Sequence, residues 1–106
     1  MLKRVADMDI KSERNDKTLT ISLSGELNTV TAPELSSVID TELTDTETLR
    51  LDFAGCDYVS SAGLRLLLAT FKKLKKEGGT MRLINVGEVF MDVLENTGLD
   101  AVFDIE

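Results

Sequence analysis

Leu51-Asp-Phe-Ala-Gly-Cys-Asp-Tyr-Val-Ser-Ser-Ala-Gly-Leu64 decides how this chain is read. A short apolar strand ends within it, and the pair Ser60-Ser61 opens a strongly apolar helix. The first turn of a helix has N–H groups without intrahelical partners and carries partial positive charge. A hydroxyl at that point caps the helix, and a phosphate there is electrostatically favoured.

Outward from this stretch the pattern alternates between strand and helix. Thr48 to Ala54 has period two and predicts the strand that leads in. From about Ser61 to Glu77, Leu64, Leu67, Leu68, Phe71 and Leu74 form the expected core stripe of a helix. Lysines gather in its last turns, and Gly78-Gly79 stops it. Upstream, Met8 to Glu13 and Leu19 to Leu23 read as two strands around the polar turn Arg14-Asn15-Asp16-Lys17, an antiparallel hairpin. Thr31-Ala32-Pro33-Glu34 predicts a capping box for a helix to about residue 43. Downstream come a strand over Met81 to Val86, a cap within Asn85-Val86-Gly87-Glu88, and a helix with Val89, Phe90, Val93 and Leu94 on one face. Gly98 ends that helix, and Ala101 to Ile105 is a last strand.

The order β-β-α-β-α-β-α-β needs crossover connections and so predicts mostly parallel pairing after the first hairpin. The expected fold is α/β: one domain over residues 1–106, with amphipathic helices packed on a mixed, mostly parallel sheet. At 106 residues and 42% hydrophobic content, a core forms without disulfides or metal.

Composition narrows the function. Nineteen acidic residues against twelve basic ones give a net charge of −7, which argues against direct nucleic-acid binding and against an anionic membrane surface. The charge is uneven. Residues 62–79 carry five basic side chains (Arg65, Lys72, Lys73, Lys75, Lys76) against Glu77, and residues 80–106 carry six acidic ones against Arg82. Such asymmetry marks solvated faces or steers a partner. The absence of histidine excludes Ser-His and Cys-His catalysis, and with a single cysteine leaves no zinc constellation. No P-loop motif is present. No cofactor and no autonomous enzymatic activity are expected. The basic opening lacks the apolar segment of a signal peptide, no apolar run is long enough for membrane insertion, and lone Cys56 fits a reducing cytoplasm. Cys56 itself reads as a small buried hydrophobe.

Gly25-Glu26-Leu27-Asn28, then Ser60-Ser61-Ala62-Gly63-Leu64, then Asn85-Val-Gly-Glu-Val-Phe-Met-Asp-Val-Leu-Glu-Asn-Thr-Gly-Leu99 resemble, in order and spacing, the elements of the STAS-domain anti-sigma factor antagonists. The family pattern is Gly-Glu-Leu-Asp, then Asp-Ser-Ser/Thr-Gly-Leu, then an apolar helix ending in a Thr/Ser-Gly-Leu turn. Anchored on Gly63-Leu64, the resemblance implies that Ser61 is the phosphorylated serine. It places Ser60 on the aspartate before it, Ala62 on the second hydroxyl residue and Asn28 on another aspartate. Both aspartate losses remove negative charge near a phosphate. They ease its accommodation or weaken recognition by the kinase.

In that family the domain is a switch. Unphosphorylated, it binds an anti-sigma factor that is often also a serine kinase; phosphorylated, it is released, and a serine phosphatase resets it. The resemblance implies a partner-binding surface around Asn28, Ser60, Ser61 and Ala62, and helix spacing adds Leu66, which lies off the core stripe. Ala62, Leu66 and Ala69 form a second apolar strip beside the serine, either covered by a neighbouring element or free for docking. The alternative function is a STAS accessory subunit of a membrane transport complex.

Overall fold

The computed structural model describes residues 2–5 and 8–106, with side chains from Met8 onward; Met1, Ala6 and Asp7, part of the basic opening read above, lie outside the described residues. The elements are β1 (Leu2–Val5), β2 (Met8–Asn15), β3 (Thr18–Leu27), α1 (Ala32–Glu42), β4 (Thr48–Val59), α2 (Ser61–Lys76), β5 (Thr80–Ile84), α3 (Glu88–Thr97), a 3₁₀ turn (Leu99–Ala101) and β6 (Asp104–Ile105). They form one six-stranded sheet in the order β1-β2-β3-β4-β5-β6. The first two pairings are antiparallel and the last three parallel.

The expected hairpin is present, with Asn15 opposite Thr18 across a two-residue turn. Asp16 adopts φ 57° there, a left-handed conformation that a short polar side chain tolerates. Each later connection is a crossover advancing one strand in the same direction, and with the right-handed sense general to such units α1, α2 and α3 fall on one face. That face is apolar. Ile21 and Leu23 of β3, Leu49, Leu51 and Phe53 of β4, and Met81 and Leu83 of β5 are buried beneath Leu35 and Ile39 of α1, Leu67 and Leu74 of α2, and Phe90 and Leu94 of α3. Phe53 and Phe90 lock sheet to α3 with ring centroids 4.9 Å apart. The alternate positions Thr20, Ser22, Arg50, Asp52 and Arg82 stay at least partly exposed. The fold is thus two layers, with one polar sheet face open to solvent.

Four details depart from the sequence expectation. β1 adds a sixth strand, from a four-residue segment too short to show a period. β4 runs five residues beyond Ala54, because its pairing with β3 shifts twice, between Ser22 and Ser24 and between Ser24 and Glu26. Each shift puts an extra residue into β4, so Phe53, Cys56 and Val59 all face the core at a spacing of three instead of two. Gly55 sits at the first of these bulges, where a Cβ would stand 3.0 Å from the Ser24 hydroxyl. β5 stops at Ile84, where Asn85 turns to φ 56°. The last strand is reduced to Asp104–Ile105 by the 3₁₀ turn before it.

The stops are as expected. Gly78 takes φ 83° after α2 and Gly98 takes φ 78° after α3.

Candidate functional site

The site is built where β3 and β4 end side by side. Leu27 is in register with Val59, and the Ser60 N–H donates to the Leu27 carbonyl at 2.8 Å. The next residue of each chain, Asn28 and Ser60, therefore emerges at one edge of the sheet. The carboxyl ends of adjacent parallel strands are the usual location of sites in open α/β folds.

Asn28 is half-buried, and its Oδ1 accepts from the Val30 N–H at 2.9 Å and the Thr31 N–H at 3.0 Å. Asn28 thereby acts as the cap of the turn that enters α1. Thr31, expected to open a capping box, makes no side-chain cap bond. It is fully buried; its hydroxyl accepts from the Asn28 N–H at 2.8 Å and donates to the Glu26 carbonyl at 2.7 Å. The capping work has moved three residues upstream because the buried Thr31 hydroxyl is used to tie the turn to β3.

Ser60 is the N-cap of α2. Its backbone is extended, and its Oγ accepts from the Gly63 N–H at 3.3 Å. Ser61 is the first helical residue. It is exposed, and its hydroxyl has no hydrogen-bond partner among the described residues. No acidic residue lies in this first turn. The structure therefore separates the two serines: Ser60 is engaged in the fold and Ser61 is presented to solvent. The aspartates that the family pattern expects at positions 28 and 60 are replaced by Asn and Ser, which are also good N-cap residues. Both carbonyl or hydroxyl oxygens still cap, so the geometry survives without the charge.

Ala62 is half-buried against the core. Along α2 the fully buried line is Gly63, Leu67, Thr70 and Leu74. Leu64, Leu68 and Phe71, placed in the core stripe by sequence, are half-buried on one flank. Leu66 is half-buried on the other, where it lines a groove of about 120 Å³ with Ser36, Ile39 and Asp40 of α1. The α1 helix thus covers part of Leu66, while Ala69 remains exposed. Among the site residues read from the sequence, Asn28, Ser60 and Ser61 meet at one edge, Ala62 lies just behind them, and Leu66 lies one turn further along α2.

Sequence reasoning missed two exposed apolar side chains and wrongly placed a third, Val89, on the packed face of α3 with Phe90 and Leu94; its place in the first turn leaves it in solvent. Val30 in the turn before α1 (62% exposed), Tyr58 near the end of β4 (49%) and Val89 in the first turn of α3 (62%) all lie at the edge that carries Ser61. The available signal was their position beside strand ends, not their type. Glu26 and Asp57 are the exposed acids at these ends. Asp52 is used inside the sheet, where its Oδ1 accepts from the Ala54 N–H at 2.9 Å and from Asn85 Nδ2 at 2.9 Å. Asn85 therefore cross-links β5 to β4 and does not cap α3, whose N-cap is Gly87.

Cys56 is buried beneath the edge, as expected, and burial pushes its thiol up from its ordinary value despite hydrogen bonding with the Leu27 and Tyr58 backbone. No grouping of His, Cys, Asp or Glu among the described residues would hold a metal ion, and no described helix is long and apolar enough to cross a membrane.

The small α/β domain presents an exposed serine at a helix start, with exposed apolar residues at neighbouring strand ends, and its class is that of the STAS domains. The family model described as STAS domain matches residues 9–106, and the chain belongs to that family. It is 30% identical over 99 residues to the anti-sigma-B factor antagonist of Bacillus subtilis, a match covering 93% of this chain and 89% of the relative. The fold is similar to the crystal structure of an anti-sigma factor antagonist from Mycobacterium paratuberculosis, with a TM-score of 0.82 and 32% identity over 92% of this chain and 84% of that one. It also matches the phosphorylated form of the Bacillus cell fate determinant SpoIIAA, with a TM-score of 0.73 and 22% identity over 92% of this chain and 90% of that one.

Proposed function

We propose that this protein is an anti-sigma factor antagonist, switched by phosphorylation of Ser61. The observation that carries the reading is the contrast within the serine pair: Ser60 caps α2, and Ser61 offers an exposed, unbonded hydroxyl at the helix start. Unmodified, the edge formed by Asn28, Ser60, Ser61 and Ala62 with Val30, Tyr58 and Val89 docks on an anti-sigma factor that is also a serine kinase. Leu66 extends this surface along α2.

The kinase transfers the γ-phosphoryl group of ATP. The Ser61 Oγ–P bond forms as the bond to ADP breaks, and the hydroxyl proton passes to the kinase. A phosphate adds about −1.5 to −2 charge and three acceptor oxygens at the centre of the surface. Packed against a partner it must be desolvated, so the complex dissociates without a large rearrangement of the fold. A serine phosphatase restores the binding form. In this cycle the protein is substrate and ligand, not catalyst, and acts in the cytoplasm.

The test is incubation with the partner kinase and ATP, followed by mapping of the modified residue by mass spectrometry. Phosphate on Ser61 is expected. Phosphate confined to Ser60 overturns the assignment.

A further inference from the structure

Ser61 heads a line of exposed residues along α2. Ser61, Arg65, Ala69, Lys72 and Lys76 stand at i, i+4, i+8, i+11 and i+15, and every one is exposed. Residues four apart on a helix have Cβ atoms about 5–6 Å from each other. Arg65 is therefore the cation one turn below the serine. It takes part in no salt bridge among the described residues, whereas Arg50, Lys11 and Lys17 each have a carboxylate partner. The first turn of α2 contains no acid to compete for it. Asn28 and Ser60, which emerge at the same sheet edge, are neutral.

We propose that Arg65 is the internal counter-charge for phosphate on Ser61, pairing with it along the exposed face of α2. The proposal rests on Ser61 being the phosphoacceptor. The orientation favours the pair: an anion four residues before a cation is the better of the two arrangements on a helix, and the phosphate itself sits at the positive end of the α2 dipole. Guanidinium meets a phosphate through two parallel N–H···O bonds, which a lysine cannot reproduce. Glu26 and Asp57, the exposed acids at the ends of β3 and β4, act in the opposite sense by repelling the dianion. Phosphorylation therefore does more than add negative charge. It withdraws the first positive charge of the basic stripe from the surface offered to a partner.

Phosphoserine installed at position 61 during translation gives the full-length phosphoprotein without any kinase. Its phosphate is then titrated by ³¹P NMR in the wild type, Arg65→Ala and Arg65→Lys. The wild-type phosphate is expected to lose its second proton about half a pH unit earlier than in Arg65→Ala, with Arg65→Lys between. The difference should shrink at about 1 M salt, as for any exposed pair. Circular dichroism controls for folding, which the exposed Arg65 should not affect. Coincident titrations of wild type and Arg65→Ala overturn the pairing and leave the kinase assignment standing. Failure of the kinase to modify Ser61 overturns that assignment without altering the titration.

Discussion

Gly63 rests so closely on Leu27 that a Cβ at position 63 would stand 2.8 Å from the Leu27 Cγ and 2.9 Å from Cγ1 of Val59. The missing side chain lets the first turn of α2 sit directly on the ends of β3 and β4. The positions of Ser60 and Ser61 relative to Asn28 follow from that contact.

Gly63→Ala is accordingly expected to destabilise, although alanine is the better helix former. Overpacking costs about 1–3 kcal/mol, and the gain in helix propensity recovers no more than about 1 kcal/mol. In a domain of this size each lost kcal/mol lowers the melting midpoint by about 4–8 °C. A thermal melt showing Gly63→Ala as stable as the wild type would mean that α2 does not approach the strands this closely.

At the opposite edge, one arginine holds the entry to β4. Arg14 donates to the carbonyls of Glu42 (2.6 Å), Thr44 (3.1 Å) and Asp45 (3.3 Å) and to the Thr46 hydroxyl (2.9 Å). It gathers the unpaired carbonyls after α1, a role suited to a planar fork of donors. Because Arg14 is exposed, Arg14→Ala should cost only about 1–2 kcal/mol. Arg14→Lys should recover little of it. Urea unfolding of the three proteins measures this, and full recovery by lysine would show that charge alone matters there. Phosphorylation of Ser61 should be unaffected in both variants.

Ser61→Ala and Ser61→Asp should fold like the wild type, because the side chain is exposed and unbonded. Their partner affinities should diverge. Ser61→Ala binds but is never switched off, while Ser61→Asp binds about tenfold more weakly, since a carboxylate supplies only part of the phosphate's charge. Calorimetry with the anti-sigma partner provides the comparison. Equal affinity of the unmodified and fully phosphorylated proteins would remove the switch.

Cys56 is predicted to be inert in the native state. It is buried, its Sγ lies 3.5 Å from the Tyr58 carbonyl, and burial raises its pKa, with Asp57 and Glu26 adding to the shift. Little thiolate forms near neutrality, so alkylation should follow unfolding. The folded protein keeps this proton at pH values where the unfolded chain has lost it. Stability should therefore fall as the pH rises above the ordinary thiol value, and Cys56→Ala should flatten that slope. Rapid labelling of the native protein would contradict the burial.

Much of the fold was legible because its period was intact. The helices, the hairpin and the parallel order follow from Leu19-Ile21-Leu23, Leu49-Leu51-Phe53 and the leucines of α2. The end of β4 was not, because two bulges convert a period of two into Phe53, Cys56, Val59, a spacing that no strand template contains. Caps were legible only in part. Ser60 caps as read, but the Thr31 hydroxyl is drawn back to the Glu26 carbonyl of the preceding strand, and Asn85 reaches across to Asp52 of β4, a partner that local sequence does not reveal. Of the site, Ser61 was visible through its motif. Val30, Tyr58 and Val89 were not, since only the sheet order brings three separate segments to one edge.

The flanks of α2 give the last prediction. Leu67 is completely buried, so Leu67→Ala should cost about 2–5 kcal/mol and Leu67→Glu should leave a buried carboxylate unpaired and unfold the domain. Leu66 is half-buried beside Asp40 of α1, with one side facing the groove. Leu66→Glu keeps its charge within reach of water but loses contacts and adds repulsion from Asp40. It should fold, with a stability loss clearly smaller than that of Leu67→Ala, and should weaken partner binding at temperatures where it is fully native. Thermal melts of the two glutamate variants, paired with calorimetry of Leu66→Glu, separate the contributions. If Leu66→Glu unfolds as readily as Leu67→Glu, α1 covers Leu66 entirely and the binding surface is confined to the strand-end edge around Ser61.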